Sequence, residues 1–139
     1  VEFEKFTKKV QIEARVLGDL AINHIVPTAV RYMTTLIDNV KGLHDIFEEN
    51  DYMRLAGARK ELIIGISDNI SMIKKLVADM IEEQKKANVI EDPYKKALAY
   101  EKNVKPYLQE IRQHIDKLEL TVDNEMWPLP KYRELFFTR

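Results

Sequence analysis

The sequence predicts an all-α protein, an up-down-up bundle of three long helices with a short C-terminal Pro-aromatic clasp. Three observations predict it. Apolar residues recur at gaps of three and four along most of the 139 residues, the period of one helix face. Only four glycines and five prolines interrupt the chain, which leaves few places to turn. Nothing reads as a strand, an internal repeat or a low-complexity segment. Residues 1–139 therefore read as a single helical domain.

The first helix is marked by Phe3, Phe6, Val10, Leu17, Leu20, Ala21, Ile25, Ala29, Val30, Met33, Leu36, Ile37, Val40, Leu43 and Phe47. The phase survives across Pro27, which predicts a kink rather than an end. Proline removes a backbone donor and crowds the carbonyl of Asn23, four residues back. Asn23 and His24 stand beside the freed carbonyls, where polar side chains repair a broken ladder. A structural role for the pair is therefore preferred over a polar binding site.

Asn50 or Asp51 is expected to cap a second helix, with the stripe Leu55, Leu62, Ile66, Ile70, Ile73, Val77, Met80 and Ile81 and a stop at Asn88. Gly57 and Gly65 weaken it by roughly 1 kcal/mol each relative to alanine, so close packing is expected there. Asp92-Pro93 reads as an N-cap followed by proline at the first helical position. From there Val104, Leu108, Ile111, Ile115, Leu118 and Val122 form a heptad-like seam, kinked or broken near Pro106.

Helices over 52–87 and 93–126 would span roughly 54 and roughly 51 Å, and the first, over 3–48, roughly 69 Å. The longer first helix should overhang its partners, with its N-terminal turns projecting.

The tail DNEMWPLPKYRELFF, residues 123–137, concentrates the one tryptophan, two prolines and two phenylalanines. Pro128 and Pro130 push Trp127 and Leu129 out of helical geometry, so the third helix should stop near Met126. Helix can resume after Pro130, setting Tyr132, Leu135 and Phe136 on one face. The Pro-x-Pro spacing is poor for an SH3-type ligand, so a clasp folding aromatics onto protein is the better reading.

Composition limits the chemistry. Hydrophobic residues make up 45% and charged residues 32%, with a formal net charge of -1, so no basic surplus points to nucleic acid. Cysteine is absent, which removes disulfides and thiolate zinc sites. It also fits a cytoplasmic location. No apolar run reaches the roughly 18 residues of a membrane span. Among His24, His44 and His114, the nearest approach to a di-iron Glu-x-x-His pair is Glu110 to His114, one residue too long. Those two can still meet as an i, i+4 pair. No nucleophile triad, phosphate loop or catalytic carboxylate pair is legible, so no catalytic, cofactor-binding or metal residue is assigned.

Two long motifs carry a resemblance. HIDKLELTVDNEMWPLPKYRELFF, residues 114–137, resembles the C-terminal end of type III glutamine synthetases, and DLAINHIVPTAVRYMTTLIDNVKGL, residues 19–43, is similar to an earlier stretch of the same family. They bracket the chain in the family's order. Asn124 replaces the usual second acid, Thr34 stands where glutamine is common, and the chain reads Phe136-Phe137 near its end. None of these departures falls on a residue assignable to catalysis.

The resemblance implies a cytoplasmic, oligomeric ligase of nitrogen metabolism. Such a parent makes glutamine from glutamate, ammonia and ATP with Mg or Mn, and its metal and phosphate ligands lie upstream of this segment. The chain is then expected to be a C-terminal fragment of a much longer enzyme, inactive alone, with a structural and assembly role. The implied partners are the catalytic domain and neighbouring subunits, with no nucleic acid and no membrane. The overhanging helix end adds a second copy of the fragment as a candidate partner. Structural and interface residues are Asn23, His24, Pro27, Trp127, Pro128, Pro130, Tyr132, Leu135 and Phe136. The alternative is a free-standing helical-bundle interaction or sensor module. The length of the open reading frame separates the two.

Overall fold

A computed structural model of the chain describes residues 2–128. Three helical rods run up, down and up, and no strand occurs among the described residues. The first rod comprises α1 (Glu2–Leu20), a π-helical turn (Ala21–Ile25) and α2 (Val26–Ile46). The second is α3 (Glu49–Asn88). The third comprises α4 (Pro93–Ala99), a second π turn (Tyr100–Val104) and α5 (Lys105–Thr121).

Cross-rod contacts give the directions. Gly18 of α1 lies opposite Val77 and Met80 of α3, so these rods are antiparallel about the 47–48 connection. Phe3 stacks edge-on against Tyr94 at 5.0 Å between centroids, and Glu13 lies 3.8 Å from Arg112, so the first and third rods are parallel.

Both internal prolines are met by the same device. In each case the residue just before proline donates its N–H five residues back: Val26 to Ala21 and Lys105 to Tyr100. The π turn inserts one extra residue, widening the helix where the proline ring would collide with the preceding turn. Each rod passes its proline without a break. The first and last residues of each turn, Ala21 with Ile25 and Tyr100 with Val104, are fully buried. The extra residue therefore keeps the apolar phase on the core side.

The heptad-like seam of the third rod is buried from Ala97 through Tyr100, Val104, Leu108, Ile111, Ile115, Leu118 and Val122. It packs against Val10, Ala14, Leu17 and Ala21 of the first rod and Ile66, Ile73, Val77 and Met80 of the second. At α4, Asp92 caps as its position suggests, its carboxylate accepting the Lys95 N–H at 2.9 Å.

Four expectations are corrected. The second helix opens at Glu49, and its cap residue Glu48 makes no side-chain capping bond; Asn50 and Asp51 lie inside the first turn. The third helix ends at Thr121, five residues before Met126. Asp123 ends it: its carboxylate accepts the Glu125 N–H and its carbonyl accepts those of Met126 and Trp127. This local Asx turn stops the helix before the prolines act. Gly57 and Gly65 mark no close packing, because a Cβ added at either would meet nothing within 4 Å.

The overhang also lies at the opposite end. The N-terminal turns of α1 are flanked by α4, through Phe3 and Tyr94. The projecting part is the α2–α3 hairpin, because α5 stops beside Leu62 and Gly65. Residues 30–65 thus form a two-helix arm. Its tip is closed by His44 edge-on to Tyr52 at 4.8 Å, with the Lys60 ammonium 4.7 Å above the same tyrosine ring.

Candidate functional site

Asn23 and His24 sit on the outer surface of the first π turn, both exposed. The Asn23 amide donates to Asp19 at 2.6 Å, and the His24 imidazole lies 3.9 Å from the same carboxylate. Neither repairs the ladder near Pro27. Thr28 is buried, and its hydroxyl donates to the His24 carbonyl at 2.8 Å and accepts from Arg31 at 3.1 Å. The 23–24 pair faces solvent while Thr28, one residue after the proline, faces inward. Pro27 itself is half-buried.

The strongest polar constellation joins all three rods. Tyr100, in the second π turn and fully buried, donates its hydroxyl to the side-chain carbonyl of Asn88, the last residue of α3. Gln11 of α1 donates to the same Asn88 oxygen at 3.1 Å and lies 3.2 Å from the tyrosine oxygen. A buried phenol is stable only with such a partner. The seam, extended backwards from Val104 by four residues, lands on Tyr100 and would have exposed this node in the sequence. No local pattern names Asn88 or Gln11 as its partners.

His114 is a second cross-rod contact. Its Nδ1 lies 2.8 Å from the Asn69 side-chain oxygen, so α5 is pinned to α3. The i, i+4 partner Glu110 is not its hydrogen-bond partner. Burial, with help from Lys117, holds the imidazole below its usual value, while Glu110 pulls weakly the other way. Neither polar site is arranged as a nucleophile and base. Among the described residues no group of three or more metal-ligating side chains comes together.

Trp127 is buried and belongs to the central core cluster, with Met126 packed against it. Pro128 is exposed. Pro130, Tyr132, Leu135 and Phe136 lie outside the described residues. The remaining candidate surfaces are apolar and solvent-facing. Phe3 and Tyr94 form one patch at the start of α1 and α4. Ile46, Phe47, Met53, Leu62 and Ile64 are scattered over the arm. No described helix is long and apolar enough to cross a membrane.

Comparison with known proteins attaches a family to this architecture. A family model described as glutamine synthetase C-terminal domain matches residues 1–44, essentially the first rod. The chain is 58% identical over 139 residues to a glutamine synthetase of Bacteroides fragilis (strain YCH46), covering all of this chain and 19% of the relative. It is 21% identical over 137 residues to the type-3 glutamine synthetase of Dictyostelium discoideum, covering 99% of this chain and 19% of that one. The chain thus spans about a fifth of the length of these curated relatives, in their C-terminal part. In sequence, this all-helical chain is similar over its whole length to the C-terminal part of glutamine synthetases, a type-3 one among them.

Proposed function

We propose that this segment is the non-catalytic structural and assembly module of a cytoplasmic glutamine synthetase, whose parent reaction joins glutamate and ammonia with ATP and divalent metal. The observation that carries this reading is the 58% identity over the whole chain to one fifth of a glutamine synthetase. The architecture supports it physically. Three rods share one continuous core, and exposed apolar side chains such as Phe3, Tyr94, Ile46 and Phe47 offer places for protein contact. The catalytic domain of the parent and its neighbouring subunits are the partners this assigns.

Deleting the segment from the full-length enzyme tests the proposal. The expected result is a smaller or less stable oligomer, rescued by adding the 139-residue chain in trans. Unchanged assembly together with unchanged turnover would overturn it. Glutamine formation by the isolated chain, supplied with ATP, glutamate, ammonia and Mg, would overturn its non-catalytic character.

A further inference from the structure

A groove of about 310 Å³ lies between α1 and α4, at the end of the bundle where the first rod begins. Phe3, Phe6, Tyr94 and Leu98 give it an apolar lining. Phe3 and Tyr94 are 47% and 52% exposed, yet they already meet edge-on across the two rods. An occupant would find these aromatic anchors in place, which lowers the cost of ordering them on contact. The charges at the rim are paired with each other. Glu101 lies 3.5 Å from Lys105, whose ammonium is also 5.7 Å from the centre of the Phe6 ring. With its rim charges matched in this way, the groove suits apolar side chains rather than an ionic partner.

Connectivity supplies the occupant. In the curated relatives the matched part is the C-terminal fifth, so most of each relative precedes it. A parent built like them brings its preceding chain to Glu2, the first residue of α1, one position before Phe3. A segment held at that point has an effective concentration in the millimolar range over the groove, ahead of a second copy or a separate protein.

We propose that the preceding part of the same parent chain seats apolar side chains in the groove between Phe3 and Leu98. The contact would bind α1 and α4 together from outside and fix the helical bundle against the remainder of the subunit. This inference rests on the reading of the chain as part of a longer glutamine synthetase, and it names the surface through which that reading operates.

Photo-cross-linking in the full-length enzyme tests it, with p-benzoylphenylalanine in place of Tyr94, numbered as here. The product should map to a peptide ahead of Glu2 and migrate at the mass of one subunit. Adding Leu98→Arg, inside the groove, should cut its yield by about tenfold, the effect of losing one central interface anchor. A product confined to residues 2–139, no product at all, a product at twice the subunit mass, or a yield indifferent to Leu98→Arg would each overturn the proposal. The assembly role is judged separately by deleting the segment. Loss of assembly on deletion without the Tyr94 cross-link would remove this contact alone and leave that role standing.

Discussion

The three-rod body and the two-helix arm carry the same amphipathic pattern, yet they bury it very differently. In the body, eight successive seam positions of the third rod are buried, from Ala97 to Val122. In the arm, Ala56 alone is buried between residues 30 and 65, while Met33, Leu36, Ile37, Val40 and Leu43 are only half-covered. Apolar periodicity sets which face turns inward, but a third partner decides how much of that face leaves water. Two helices share one line of contact. A third converts two half-exposed stripes into a closed core.

The largest test of this contrast compares two aromatic residues. Trp127→Ala, in the closed body, should cost about 3–5 kcal/mol in urea denaturation. Phe47→Ala, at the open arm tip with 41% of its surface exposed, should cost about 1 kcal/mol. Similar costs would erase the distinction between body and arm.

Leucines sharpen it. Leu118→Ala, at a fully buried position, should cost about 2–5 kcal/mol, and Leu43→Ala about half as much. Hydrogen exchange should place the Leu43 effect in residues 30–65 and spread the Leu118 effect over all three rods.

Two smaller substitutions should move in opposite directions. Gly57→Ala in the arm should stabilise by about 1 kcal/mol, since its new methyl meets nothing within 4 Å and helix propensity alone acts. Tyr100→Phe in the body should destabilise by about 1 kcal/mol by removing the hydroxyl bonded to both Asn88 and Gln11. A stabilised Tyr100→Phe variant would show the node to be energetically idle.

The smallest expected effect is a pH slope. Because burial lowers the folded-state pKa of His114 below the ordinary 6.5, the unfolded chain binds more protons between the two values. The stability tied to a neutral His114 is therefore full above 6.5 and falls as pH drops towards the folded value. His114→Gln should remove that part of the slope in urea melts recorded through this window. A slope unchanged by the substitution would assign it to other groups.

Much of the body was legible. The 3–4 spacing from Val104 to Val122 identified residues that are all buried, and Asp92-Pro93 gave the start of α4. Gly57 and Gly65 misled because glycine in a helix signals either close approach or nothing, and one chain cannot tell these apart. Asp123 was missed because the prolines drew the helix end towards themselves, while an Asx turn five residues earlier satisfied the backbone first. The interface residues were the least legible. Asn23 and His24 were singled out because Pro27 frees carbonyls beside them, but both side chains are exposed and turn to Asp19.

By itself the sequence determined the helical class, the number of rods, the seam and the two proline sites, since these depend on spacing within a few turns of one chain. Only the tertiary structure decided which end overhangs, which leucines stay in water, and that Tyr100 meets Asn88 and Gln11 while His114 meets Asn69. Those outcomes depend on the axial register between rods. Register is chosen by side chains up to 89 positions apart meeting across the core, and no local period encodes that meeting.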